Sequence, residues 1–461
     1  MDEMVLTELR SFLSQYKDVI SIKPEESYKL ITISNKGAIN LRNIVQGVEI
    51  KGDMAYRIKA GSFIYSRLAA HTGSFGLVPS ELDGAIVTSE MPVFEIDQDV
   101  VLPDYLIYLL GQKKFLNILF QLTKGMGRVR IKEESLLNIK LPIHKDIADQ
   151  ERVIESLDSK YETIRALDNK YSEQIKIMTN TRRVVLQEAI KGKLTAKWRR
   201  ENPGLINGDN HASKLLEKIK SEKERLVKEG KIRKEKSLTP IADNEKPFDI
   251  PEGWVWCRLG ELGNAETQPF VDGPFGSSIN TKQDYIDSGI PVLRMLNVKP
   301  FNFIADNYKY VSERKFSSLE RHNVKSGDIL FSKVGAGIGE ACIVPEDFEI
   351  GMLATTGITR LRVGQVVLAK YLCYFLNANK TNFRSLSTNT AQPFLNMTMI
   401  RMFRFPLPPL AEQQAIISRV SELMAMIDEL EKQVSERKEQ SEILVQSVLR
   451  EAFGNELGNQ R

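Results

Sequence analysis

The residues that could do chemistry in this chain are few and widely spaced. Val334, Gly335, Ala336, Gly337, Ile338 and Gly339 form a glycine-rich run behind a strand signal, the pattern of turns that hold nucleotides or methyl donors. A dinucleotide fingerprint needs a third glycine at a fixed place and a helix behind it. Glu340 stands at that place, and the strand-like ACIVP follows, so the run reads as a hairpin turn. The matching stretch of the first half, residues 68–76, keeps only Gly73 and Gly76. His71, His144, His211 and His322 are scattered and suggest neither a triad nor a metal site. Cys257, Cys342 and Cys373 match no ligand spacing, and no disulfide framework is expected, which suits a reducing compartment. GxxxxGK[ST], HExxH and CxxC are all missing. The chain is therefore expected to be non-catalytic and to carry no cofactor or metal of its own.

What remains suits the reading of double-stranded DNA. Arginine and lysine pair with phosphates and guanine edges, asparagine and glutamine with adenine. In the first half the candidates are Arg67 with His71, and Lys124, Arg128 and Arg130 on a glycine-flanked loop. In the second half they are Lys282, Arg294 with Asn297, Lys333, and Arg384 with Gln392. For any one of these a solvated surface charge is the competing reading. The net charge is only +4, so a nucleic-acid footprint must be local.

The elements that must position these residues show themselves through an internal repeat. Residues 147–194 lie on residues 410–457 at one fixed offset, without a gap. IADQ meets LAEQ at the start, and VLQEAIKGKL meets VLREAFGNEL at the end. Both copies read as long amphipathic helices. In the first, Ile154, Leu157, Tyr161, Ile164, Tyr171, Ile175, Met178, Val185 and Ala189 follow the spacing of a heptad seam, interrupted at Asp168 and Arg182. In the second, Ile417, Val420, Met424, Ile427, Val434, Val445, Val448 and Ala452 do so, interrupted at Glu431, Lys438 and Ser441. A sustained seam of this kind argues for a coiled coil, and each helix could reach roughly 70 Å. Two helices that each pack only on their own globular half are the alternative.

Between the helices lie two globular regions, and the whole divides into residues 1–145, 146–198, 199–247, 248–408 and 409–461. The first region predicts a helix over residues 5–16, strands over 28–33, 55–58, 62–65, 75–78, 85–87 and 93–96, and a helix over 105–121. Residues 199–247 are polar and charged, with a helix over 212–229, and read either as a solvated linker or as a basic arm. The second region predicts strands over 291–294 and 329–334 and a helix over 370–377. KAGSFIYSR (59–67) aligns with KSGDILFSK (325–333), GAIVTS (84–89) with GMLATT (351–356), and YLIYLL (105–110) with YLCYFL (371–376). The framework repeats while the loops diverge, as expected of one scaffold carrying two different binding surfaces. The 461 residues leave ample length for buried cores, no secretory leader is read, and Asp104, Lys113 and Lys114 break the closest approach to an apolar span.

On these residues the chain resembles the specificity subunit of a type I restriction-modification system. PLPPLAEQQAIISRV (406–420) is similar to the start of that family's long helices, and IKGKLTAKWRRENP (190–203) to the end of the central one. PEGWVWCRLGEL (251–262), GPFGS (273–277) and GDILFSKVG (327–335) are similar to the framework of its target recognition domains. The first half lacks a PEGW-type opening, so its recognition domain is of another subtype. The resemblance implies an α+β chain. Two β-rich target recognition domains, 1–145 and 248–408, are spaced by two long helices paired as an antiparallel coiled coil, with Ile154, Leu157, Tyr161, Ile164, Ile417, Val420, Met424 and Ile427 in the seam. It further implies that each domain reads one half of a split DNA target, that the helices fix the gap, and that they dock two modification subunits. Those subunits would bind S-adenosylmethionine; restriction subunits using ATP and Mg²⁺ would join them, in the cytoplasm and away from any membrane. Two other readings compete: a free-standing methyltransferase or nuclease using the glycine-rich turn, and a coiled-coil scaffold binding proteins.

Overall fold

The structure is a computed structural model that describes residues 4–35, 37–123, 130–232, 237–263, 268–388 and 393–453. The chain forms two compact units. One comprises residues 1–174 and 433–461, the other residues 175–432, so each contains part of both long helices. Those helices run Ile147–Ile190 and Leu410–Phe453.

In the first unit, Met4–Glu8 pairs antiparallel with Lys140–His144, the strand that delivers the chain into the first long helix. A four-stranded sheet runs Leu13–Tyr16, Val93–Ile96, Phe63–Tyr65, Phe75–Leu77 in spatial order. A five-stranded sheet runs Asp18–Ser21, Met54–Arg57, Ile86–Val87, Ser27–Ile33, Ile39–Gln46. The helix expected over residues 5–16 is thus two strands joined by a 3-10 turn at Leu9–Ser11. Leu9, Phe12 and Leu13 have helical spacing, but the long-range pairing of Met4–Glu8 overrides it. Strand Ile39–Gln46 has no counterpart among the expected elements. It is an edge strand with Leu41 and Ile44 exposed, and a bulge at its Arg42, between the partners of Leu30 and Ile31, breaks the alternation. The helix read over 105–121 is two helices, Pro103–Leu110 and Lys113–Gln121, divided at Gly111 and Gln112.

The second unit repeats the plan. Val255–Arg258 pairs antiparallel with Arg404–Leu407, which leads into the second long helix. One four-stranded sheet runs Phe270–Asp272, Ile358–Leu361, Ile329–Ser332, Ala341–Ile343. Another runs Lys309–Val311, Ile290–Leu293, Gly351–Leu353, Asn323–Val324. Among the described residues each unit has one parallel strand pair, with Leu30 beside Ile86 in the first and Val292 beside Met352 in the second. Helix Ala212–Lys228, in the charged stretch, buries Ala212, Ile219 and Leu226, and Ala212 belongs to the second unit's main core. It is a packed helix, not a free arm.

Two glutamines carry the repeat down to single hydrogen bonds. Gln150 Oε1 accepts from the Leu102 N–H at 2.9 Å, and its Nε2 donates to the carbonyls of Val100 and His144. Gln413 Oε1 accepts from the Leu368 N–H at 2.8 Å, and its Nε2 donates to the carbonyls of Val366 and Pro408. Both glutamines are 0% exposed. Each satisfies every polar atom of its amide while tying the start of a long helix to its own globular region, which is the condition for burying the group at all.

The long helices complete both cores. In the first unit Leu157 and, from the second long helix, Val448, Leu449 and Phe453 enter the core built by the globular region, with the Phe453 ring 5.2 Å from Tyr105 edge-on. In the second unit Leu186, Ala189 and Ile190 join Ile416, Ile417 and Val420 in the core beneath Tyr371 and Phe405. Leu157, Ile164, Ile417, Val420 and Ile427 of the expected seam are buried; Ile154, Tyr161 and Met424 are half-buried. Within the second unit Arg182 meets Asp428 and Glu431, while Arg199, beyond the helix end, meets Glu412, so the pairing there is antiparallel.

Candidate nucleic-acid interface

In the first unit the strand Phe63–Tyr65 carries the chain to Arg67, whose backbone bonds Glu90 and Ile131 on either side. Arg67 donates to Glu133, and Arg130 Nη2 lies 2.9 Å from Glu90. The fold therefore brings Arg67 and Arg130 together in one network with two carboxylates. Burial alone would lower the Arg67 pKa, but the bond to Glu133 outweighs it and the guanidinium is held more firmly charged. Arg67 Nε and one Glu90 oxygen are buried without a partner in this network. His71 sits on the turn Ala70–Thr72 with its ring 6.2 Å from Phe120, and its Nδ1 is likewise unpartnered. Lys124 and Arg128 lie outside the described residues.

In the second unit the equivalent cation is Lys333. It is 6% exposed, and its ammonium stands 2.7 Å from Asp272. It is an internal ion pair, where the sequence suggested a solvent-facing charge. Asn297 is also internal: it is 0% exposed, accepts from the Arg294 N–H, and donates to the carbonyls of Ile304 and Asp306. All its hydrogen bonds staple a turn. Arg294 is half-buried, donates to the Asn307 carbonyl, and keeps Nε unpartnered. Lys282 is exposed with no ion pair among the described residues, and Arg384 is exposed on helix Lys380–Leu386. Gln392 lies outside the described residues.

Several charged groups at these sites were not read from the sequence. Glu90, Glu133 and Asp272 hold the candidate cations, yet each is far from its partner along the chain. Arg360 is almost wholly buried and donates to Asn323 and to the Gln268 carbonyl; burial, with Arg362 beside it, pulls its pKa down to about 10. Arg362 in turn pairs with Asp328 at 2.6 Å. No local pattern announces such pairs.

The glycine-rich run forms a hairpin turn, as expected. Gly335–Gly337 is a 3-10 turn between antiparallel strands Ile329–Ser332 and Ala341–Ile343. A Cβ on Gly339 would come within 2.8 Å of the Lys380 backbone, so that glycine answers to close packing. The three cysteines are buried, and burial pushes the Cys342 thiol up to about 12, far from a nucleophile's range. Among the described residues no group of three His, Cys, Asp or Glu could hold a metal, and no helix is long and apolar enough to cross a membrane.

Comparison with known proteins points to one family. Residues 251–440 match the type I restriction modification DNA specificity domain. The chain is 27% identical over 281 residues to the EcoEI specificity subunit of Escherichia coli, covering 59% of this chain and 45% of that protein. It is 29% identical over 280 residues to the EcoAI specificity subunit of Escherichia coli, covering 59% and 44%. The chain thus spans just under half the length of these relatives. A solved chain of a type I R-M system, studied for its complex assembly and conformational transition, shares the fold with a TM-score of 0.63 at 16% identity, covering 98% of both chains.

Proposed function

We propose that the chain belongs to the specificity subunits of type I restriction-modification systems and is the non-catalytic DNA-reading subunit of a modification and restriction complex. Each globular region reads one half of an asymmetric, split target. The paired helices fix the gap between the halves and dock two modification subunits. Those subunits hold S-adenosylmethionine and methylate adenine; restriction subunits working with ATP and Mg²⁺ complete the assembly in the cytoplasm.

The observation that carries this reading is the pairing of a repeated framework with unrepeated surfaces. Gln150 and Gln413 make the same bonds in the two units. Yet the larger sheet of the first unit has five strands and ends in the exposed edge strand Ile39–Gln46, whereas the matching sheet of the second has four. Two scaffolds of one design with unlike loops suit two unlike half-sites. Phosphate contacts supply affinity and base edges supply specificity, so the exposed cations Arg130, Lys282 and Arg384 are the phosphate candidates, and the partly buried Arg67 and Arg294 the better-oriented base candidates. Selection of random duplexes by the co-purified complex of this chain with its modification subunit tests the reading. It predicts enrichment of two unlike short sequences at one spacing; enrichment of a single continuous site would overturn it.

A further inference from the structure

Three loops of the second unit meet at a patch that the core does not use. Gly273 presses on Thr355: a Cβ there would lie 1.9 Å from the Thr355 carbonyl oxygen. Gly357 presses on Met295: a Cβ there would lie 2.9 Å from its sulfur. The Ala354 N–H donates to the Leu293 carbonyl at 2.9 Å, which fixes the third side. The loops around residues 273–278 and 354–357 are therefore clamped edge to edge at Gly273, where a side chain would run into backbone, and the loop 294–297 lies against them through the Met295 side chain.

On this base stand large apolar side chains turned to solvent. Phe275 is 78% exposed, the highest value among the large exposed hydrophobic residues, and Met295 and Leu296 are 36% and 38% exposed. Thr355 beside them is exposed as well. Phe275 lies between Pro274 and the turn Gly276–Ser278. An exposed phenylalanine gains nothing from folding, and with Met295 and Leu296 on the neighbouring loop the arrangement suits a partner that covers it. Two cations belong to these loops: Arg294 adjoins Met295, and Lys282 follows in the same loop as Phe275, the latter without an ion pair among the described residues.

We infer that Phe275 is a wedge that enters between base pairs of the second half-site, with Met295 and Leu296 against the opened step and Arg294 and Lys282 toward the flanking phosphates. Phenylalanine, methionine and leucine are among the residues that unstack base steps, and a wedge needs a stiff base and cations beside it to neutralise the compressed backbone. The inference rests on the DNA-reading assignment above and adds deformation to it: the second half-site is chosen partly by how readily one of its steps unstacks.

The test uses the co-purified complex and a duplex recovered by selection, with 2-aminopurine placed in turn at each step of the half-site read by this unit. Wild type should brighten one position on binding. Phe275→Ala should abolish the brightening and weaken binding by about tenfold, the equivalent of one lost stacking contact, while leaving the salt dependence unchanged. Phe275→Leu should restore most of the signal. Tight binding by wild type with no brightening at any step would overturn the wedge while leaving DNA reading intact. A Phe275→Ala chain that no longer assembles with the modification subunit would make the patch a protein interface and also overturn it. No enrichment of DNA by wild type would overturn the DNA assignment itself, and the wedge with it.

Discussion

Arg182 and Glu431 are ion-paired at 2.5 Å between the two long helices, and Asp428 takes the other arm of the same guanidinium at 2.5 Å. Each of the first two residues interrupts the apolar seam of its own helix. Across the pair, the interruptions answer each other. Both partners are partly exposed, so the gain is modest, on the order of 1 kcal/mol, and sensitive to salt.

The repeat turns this pair into a prediction. Asp168 occupies the place of Glu431 in the first copy, and Val445 occupies the place of Arg182 in the second. Asp168 accordingly has a buried oxygen with no partner. Val445→Arg should supply one and raise the melting temperature of the complex, and the gain should vanish when Asp168→Asn is added. An equal gain in both backgrounds would show that the arginine acts elsewhere.

Glu412 is the most heavily engaged carboxylate of the second unit. It is 0% exposed and accepts from Thr195 Oγ1 at 2.7 Å, Arg199 Nη2 at 2.7 Å and Trp254 Nε1 at 2.8 Å. Three chain segments meet there: the exit of the first long helix, the opening of the second globular region, and the start of the second long helix. Glu412→Ala leaves Arg199 unpaired in a site nearly closed to water, a loss of about 3–5 kcal/mol. Denaturant unfolding of the complex measures it; a shift below 1 kcal/mol would mean that water or another group takes the place of the carboxylate.

Lys282 and Lys333 should separate cleanly. Lys282→Ala, at an exposed and unpaired cation, should leave stability unchanged and reduce the salt slope of DNA binding by about one. Lys333→Ala strands Asp272, which already has one unpartnered oxygen, and should lower stability by about 1–3 kcal/mol. Titrations at several salt concentrations, beside thermal melts, give both numbers.

His322 gives the fold a pH dependence of known sign. Burial lowers its pKa below the ordinary histidine value, more than its bond to the Asp272 carbonyl raises it. The folded state therefore binds this proton less readily than the unfolded state. The contribution is complete above about pH 6.5 and is lost as pH falls from there toward the depressed folded value. Melting temperature against pH should fall more steeply below 6.5 for wild type than for His322→Gln; parallel curves would assign the acid sensitivity to other groups.

The two long helices were legible because their signal is local and periodic: Leu157 and Ile164, and Val420 and Ile427, recur at seven-residue spacing and are buried. The hairpin reading of the glycine-rich run held for the same reason, since Glu340 and the strand after it are adjacent in sequence. What sequence did not disclose is whatever long-range pairing decides. Met4–Glu8 is a strand because Lys140–His144 lies beside it. Lys333 is internal because Asp272 is there to meet it, and Asn297 is internal because its own turn consumes its amide. The partners of Glu412 come from Thr195, Arg199 and Trp254, which no spacing rule connects. That the last turn of the second long helix fills the first unit's core through Phe453 was equally hidden, although the repeat contains the clue: Ile190, its counterpart, does the same in the second unit.

The most direct test of bipartite recognition at a fixed gap is a map of methylated adenine in the DNA of a host expressing this chain with its modification subunit, for wild type and for a form lacking one heptad from each long helix. Bipartite recognition predicts a split motif with two unlike halves in wild type, and in the shortened form either the same halves at a changed gap or no methylation by a complex that still assembles. The same halves at the same gap in both would contradict it.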